Sequence, residues 1–315
     1  MLSALQIVSP LILIIFLGFF SFKKKIFNKS SIDTLNKFVY LIPIPALLFK
    51  NTATIEFPEI FPLKLWGAYF GSMLITSILG VLLSMAISKN RPFKGNVIIG
   101  FGSVFSNTVM LGIPVVLTAL GDEAGIPLFL ILAIHGIISF SVLTALLEIS
   151  SKTDKNLKST FVAIGRSLSG LPVILALVAG LSWNATDLIL PIYLDKFLEI
   201  LSGAAIPIAL FAIGGSLTQI KIKGSIKEAF IVTFFKLAIH PLIAFILASY
   251  VFKLPFLWIA TVTILASMPS GIFTSIFAVR YGTAEDVASS SIVISTILSS
   301  ITISLWLTFF IVNYP

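Results

Sequence analysis

The chain has 315 residues, of which 57% are hydrophobic and 11% charged, and it contains no cysteine. A soluble domain carries about 25% charge and 45–50% apolar residues, so lipid must solvate part of this surface, and a soluble enzyme, a disordered chain and a disulfide scaffold are excluded. The net charge of +8 fits cytoplasmic loops better than a nucleic-acid surface, and with only His135 and His240 there is no ligand set for a structural zinc site.

Ten apolar stretches approach the roughly 20 residues that a spanning helix needs. They are 2–22, 33–50, 65–88, 96–119, 126–149, 168–183, 197–218, 229–251, 257–279 and 288–312. The first reads as a span rather than a signal peptide, because Lys23, Lys24 and Lys25 follow the apolar run instead of preceding it. The expected fold class is an all-α integral membrane protein.

The connections alternate in charge. Lys23–Lys25, Lys29, Lys89, Arg91, Lys94, Lys152, Lys155, Lys158, Arg166, Lys221, Lys223, Lys227 and Arg280 fall in one set, 15 of the 21 basic residues. Lys50, Lys64, Lys196 and Lys253 make up the other set of 4. The positive-inside rule puts the first set in the cytoplasm, which leaves both termini outside a cell membrane crossed many times. SSKTDKNLKS, near the middle of the chain, reads as a cytoplasmic linker.

The two halves repeat. Pro10 and Gly18 match Pro172 and Gly180, and Pro45 and Phe49 match Pro207 and Phe211, all at an offset of 162. Gly121 matches Gly282 at 161, and Pro92 matches Pro255 at 163 as the ends of the third and eighth spans. Five spans per half is an odd number, so the second half enters the membrane inverted. The expected organisation is a first repeat at 1–150, a linker at 151–161 and an inverted repeat at 162–315, interleaved into scaffold and transport domains. Inverted repeats are the architecture of many secondary transporters, with the substrate near the midplane and held by interrupted helices.

The fourth span reads GFGSVFSNTVMLGIPVV and the ninth TILASMPSGIFTSIF. At offset 161, Ser106 and Asn107 match Ser267 and Met268. Pro269 suits the first position of a new half-helix. Asn107 suits an N-cap whose side chain accepts from an orphan N–H. Pro114 is a weaker candidate for the break, or a kink relieved by Gly112. With opposite directions, the two second halves aim their N-termini at one point, each the equivalent of roughly +0.5 charge. This favours a small anion such as a carboxylate. All 13 acidic residues lie in loops or near span ends, whereas a cation/proton antiporter uses buried carboxylates.

These segments resemble a known family. SNTVMLGIPVV is similar to the fourth-span signature of the auxin efflux carriers, NKFVYLIPIPALLF to their second span, and ASMPSGIFTSIFAVRYG to their ninth; Glu148 at the end of the fifth span also fits. The family includes plant auxin exporters and bacterial malonate-type carriers, and its fold is similar to that of bile acid/sodium symporters. The resemblance implies broken crossover helices in spans 4 and 9, with Asn107 at the crossover touching the substrate carboxylate and Pro269 marking the second crossover. Plant members have proline where this chain has Ser106, which implies a softer break here.

The expected function is therefore secondary transport of small organic anions by alternating access. A sodium-coupled bile-acid-type symporter is the alternative, and a sensor or channel a more distant one. The expected substrate site comprises Asn107, Ser106, Thr108, Ser267, Pro269, Ser270 and Gly271. Lys236 and His240 share a helix face in the eighth span. Lys236 reads either as snorkelling to the interface or as a counter-charge or anion-entry site. His240 precedes Pro241 and reads as a partner for a freed carbonyl or an accessory charge, and His135 as an interior histidine or a proton relay. The tenth-span serines Ser289, Ser290, Ser291, Ser295, Ser299 and Ser300 read as small residues permitting close packing. No nucleophile, metal cluster or acid pair points to an enzyme, and no cofactor is expected. The partners expected are the anion, the bilayer and, by analogy with the family, a second copy of the chain.

Overall fold

The computed structural model describes residues 4–55, 62–150, 165, 170–219 and 226–313. The central linker, Glu56, Glu59, Arg166, Lys221 and Lys223 lie outside the described residues. Among those described, the structure is helical and six helices are long and apolar enough to cross a membrane: Lys29–Thr54, Leu63–Ile87, Asp122–Ser150, Ile192–Leu217, Ile226–Val251 and Glu285–Asn313. Shorter apolar helices fill the intervals: Ser9–Lys23, Thr108–Leu120, Pro172–Asn184 and Phe256–Ser267. Several helices begin before the apolar run does. The second apolar stretch is helical from Lys29, the seventh from Ile192 and the tenth from Glu285. Polar first turns escape a hydropathy reading, because backbone hydrogen bonding does not depend on apolar side chains.

Proline positions the helix starts. Pro92 and Pro255 were expected to close the third and eighth spans. They stand instead directly before α5 (Phe93–Gly102) and α13 (Phe256–Ser267), where an absent N–H costs nothing. Pro172 opens α8 (Pro172–Asn184) in the same way.

One group of helices packs through glycine. Helix α1 (Ala4–Lys23) lies against α10 (Ala205–Leu217), and α3 (Pro43–Thr54) lies against α8. A Cβ on Gly18 would lie 2.1 Å from the Phe211 carbonyl oxygen, and one on Gly180 2.7 Å from that of Phe49. Backbones come this close only where the side chain is absent. The two contacts are images of each other, since Gly18 and Gly180 are 162 residues apart and so are Phe49 and Phe211. Backbone conformation repeats similarly: Lys25 (φ 59°) and Asp187 (φ 54°) are separated by 162, and Gly121 (φ 81°) and Gly282 (φ 59°) by 161.

The second group holds α4 (Leu63–Ile87), α5, α7 (Gly125–Ser150), α11 (Ile226–Phe234), α12 (His240–Ile246), α13, α14 (Phe273–Arg280) and α15 (Glu285–Asn313). Apolar side chains cover its outside, as at Leu74, Ile78 and Leu82 on α4 and Ile297, Ile301 and Leu305 on α15. Inside it, Ser72, Thr76, Ser290, Ser291, Ser295 and Ser299 are buried. This is the pattern of a lipid-solvated bundle, with small polar residues turned to the interior.

Candidate functional site

Two helices break where they pass one another. Helix α5 ends at Gly102 and helical structure resumes only at Thr108, as a π-turn (Thr108–Gly112) leading into α6 (Ile113–Leu120). Helix α13 ends at Ser267, Met268 is extended (φ −61°, ψ 151°), and α14 starts at Phe273. Between them Ser106 and Ser270 form an antiparallel bridge. The Asn107 N–H donates to the Pro269 carbonyl at 2.9 Å, and the Gly271 N–H donates to that of Phe105 at 2.8 Å. Each interrupted strand thus supplies the partner that the other lost, which lets non-helical backbone persist inside a membrane protein.

Side chains secure the crossing. The Ser270 hydroxyl donates to the Gly102 carbonyl at 2.8 Å, and the Ser270 N–H donates to Ser295 Oγ at 3.0 Å. Gly271 lies under Phe105, whose ring a Cβ would approach to 2.7 Å. Phe105 is itself stacked between Phe101 and His135, at centroid distances of 4.6 and 5.2 Å.

The structure interrupts both helices near the expected positions and departs from the sequence expectations in several details. Asn107 does occupy the N-cap position, yet its side chain makes no capping bond. Its carbonyl accepts instead, from Leu111 and Gly112, because the π-turn brings those N–H groups into reach. Pro269 does not begin a helix. It belongs to the extended crossing segment, and the helix begins four residues later at Phe273. Its ring holds Met268 out of the α region and its free carbonyl receives Asn107. The break at Ser106 is complete rather than soft, since the bridge to Ser270 stabilises the open backbone without a proline. Pro114 is not at the break and lies in the first turn of α6. Ser267 is buried and donates to the Ile264 carbonyl, away from the crossing. Of the tenth-span serines, Ser295 does more than pack, since it holds Ser270.

A cavity of about 110 Å³ adjoins the crossing. Ser106, Asn107, Thr108 and Gly271 line it, with His135 from α7, Tyr40 from α2 (Lys29–Leu41) and Leu171, Val173 and Ile174 around the start of α8. It therefore lies between the two groups of helices. Among the described residues the N–H groups of Val109, Met110, Ile272 and Phe273, in the first turns after the two breaks, have no backbone acceptor, and all four residues line the cavity. No carboxylate lines it, and His135 is its one basic side chain among the described residues. Such a site offers donors and positive helix ends to a negative group. Sequence reasoning missed Tyr40 and Phe105, because an aromatic residue in an apolar run carries no positional signal.

Lys236 does not snorkel. It is fully buried, donates to the Ala266 carbonyl, and lies 3.2 Å from His240 Nδ1. His240 is also fully buried, and its Nε2 has no hydrogen-bond partner among the described residues. No group of His, Asp or Glu able to hold a metal ion occurs among the described residues.

Six apolar helices of spanning length among the described residues, with two shorter, broken helices crossing beside a largely apolar cavity, define a multi-pass membrane protein. The chain belongs to the membrane transport protein family, whose profile matches residues 3–307; this is the auxin efflux carrier family that the motifs resemble. It is similar to a candidate malonate transporter of Rhizobium meliloti, at 25% identity over 95% of this chain and 93% of the relative. An uncharacterized transporter of Methanocaldococcus jannaschii is 26% identical over 96% of this chain and 97% of its own. Auxin efflux carrier component 8 of Arabidopsis thaliana is 23% identical over 92% of each. The protein is thus a membrane transporter and not an enzyme.

Proposed function

We propose that the protein is a secondary carrier of small organic anions, with malonate-like carboxylates as the substrate class, working by alternating access. The observation that carries this reading is the cavity at the crossing, lined by Asn107 and by four residues whose backbone N–H groups have no backbone acceptor among the described residues, and by no carboxylate. The name of the Rhizobium relative agrees with a dicarboxylate.

The architecture we read is ten spans in two inverted repeats of five, 1–150 and 162–315, with both termini outside. The six long helices and four shorter ones fit that count when the pieces of each broken helix are joined. The paired glycine contacts and paired positive-φ residues support the repeat. The group holding α1, α3, α8 and α10 would be the scaffold, and the group holding the crossing would move. A cavity between them is where such movement would switch access.

The test is flux into proteoliposomes with labelled malonate and a panel of mono- and dicarboxylates. Saturable uptake and counterflow in sodium-free buffer are expected. Absence of counterflow for every carboxylate would sink the anion reading, and a strict sodium requirement would favour the bile-acid-type mechanism.

A further inference from the structure

The crossing has a second polar centre beside its cavity. Lys236 lies in a π-turn (Phe235–Ile239) that runs into α12 at His240. The extra residue of a π-turn places both side chains inside, and such turns frequently mark functional positions. The Lys236 ammonium donates to the Ala266 carbonyl and lies 3.2 Å from His240 Nδ1, a contact whose direction the ring tautomer sets, and no carboxylate pairs with it among the described residues. Ala266 belongs to the last turn of α13, two residues before the extended Met268. Positive charge is favoured at that carboxyl end, so a charge on Lys236 acts on the same broken helix that forms the crossing.

Around this pair stand groups with unused hydrogen-bonding capacity. His240 Nε2 and both nitrogens of His135 have no hydrogen-bond partner among the described residues. Tyr69 of α4 lies between them, with ring centroids 6.4 Å from His240 and 5.6 Å from His135. Its hydroxyl is buried and has no hydrogen-bond partner among the described residues. Helix α13, and α15 beyond Asp286, contribute no ionisable side chain at all. Lys227 and Glu228 stand at the start of α11, and Glu228 pairs with Arg91. Lys94 of α5 bonds the Tyr281 carbonyl. Lys236 and His240 form a fully buried basic pair that no carboxylate neutralises among the described residues, the environment in which a group gains and loses a proton.

We propose that Lys236 and His240 form a proton-binding site coupled to the anion site, so that a proton accompanies the carboxylate across the membrane. This rests on the carboxylate reading of the crossing. In the loading step, a proton from the aqueous phase adds to the Nζ lone pair of neutral Lys236 and gives the ammonium, which donates to Ala266 O and His240 Nδ1. The positive charge offsets one negative charge of the substrate arriving at the crossing. In the unloading step the N–H bond breaks, the proton returns to water on the other side, and the amine is restored. No other co-reactant is needed.

The chain has two histidines and both lie in this cluster, so labelling with ¹⁵N-histidine reads it without background. Tag-free protein in nanodiscs should show the His240 Nδ1 resonance moving through one transition as the pH is raised across the range in which the protein stays folded. Lys236→Met should abolish that transition. Malonate should shift its midpoint upward by about one unit, a tenfold gain in proton affinity, and an inward-acid pH gradient across wild-type proteoliposomes should change the malonate flux. Flat histidine resonances over this range, or a transition that malonate leaves unmoved in a carrier that transports it, would overturn the proposal and leave Lys236 a fixed counter-charge. A protein that moves no carboxylate yet keeps the transition would refute the anion reading while upholding the proton site. The wild-type titration stands even if Lys236→Met fails to fold.

Discussion

Asn107 illustrates how one residue serves two purposes. Its backbone joins the halves of the crossing, through a donated bond to Pro269 and accepted bonds from the π-turn. Its side chain is left for the cavity, because no capping bond consumes it. Asn107→Ala should therefore spare the fold, since the backbone bonds need no amide side chain. It should raise the apparent KM for malonate roughly ten- to a hundredfold, matching the about 1.5–3 kcal/mol of a hydrogen bond to a charged group. Wild-type uptake kinetics in this variant, with a monodisperse elution profile, would remove Asn107 from the site. Lys236 shows the converse. Its charge and its place in the eighth span were visible in the sequence, but the side chain could turn to the interface or to the interior. Only the position of the Ala266 carbonyl decides between them.

At the scale of elements, glycine sets the distance between helices. The close approach of α1 to α10 and of α3 to α8 depends on Gly18 and Gly180, and both contacts involve backbone atoms that cannot step aside. Gly18→Leu and Gly180→Leu should each lower the melting temperature in detergent, by an amount corresponding to about 1–3 kcal/mol or more of overpacking. Because the two contacts are related by the repeat, the two losses should be of similar size, and a large disparity would weaken the equivalence of the halves. The crossing has its own such position: Gly271→Val would drive a side chain into Phe105, which Phe101 and His135 hold on both faces. That variant should lose transport even where it still folds, since the Gly271 N–H bond to Phe105 fixes the geometry of the site.

At the scale of the whole molecule, the proposed inverted topology makes the orientation of every loop a testable statement. The chain has no cysteine, so single cysteines can be introduced without preparing a background. In right-side-out vesicles, cysteines replacing Asp122 or Lys253 should react with an impermeant maleimide, and those replacing Lys24 or Lys89 should react only after permeabilisation. Labelling of Lys24→Cys and Asp122→Cys from the same side would refute the arrangement of ten alternating spans. The same scale explains the cavity's composition. Tyr40 and the start of α8 come from one group of helices, and Asn107, His135 and Gly271 from the other. No single segment of the chain forms this cavity; it exists only where the groups meet.

The sequence by itself determined the solvent, the class of structure and the points of fracture. Apolar content, the charge alternation of loops and the repeat offset are sums over many residues, and such sums survive errors at any one of them. The break positions were legible because Ser-Asn and Met-Pro-Ser-Gly are poor helix interiors for local, steric reasons. What followed each break was not legible. The start of α14 at Phe273, the use of the Pro269 carbonyl, the support from Ser295 and the burial of Lys236 all depend on which distant backbone atoms come within hydrogen-bond reach. Those distances belong to the packing of helices 160 or so residues apart in the chain, and in a bilayer, where an unpaired polar group finds no water, it is that packing that decides each partner.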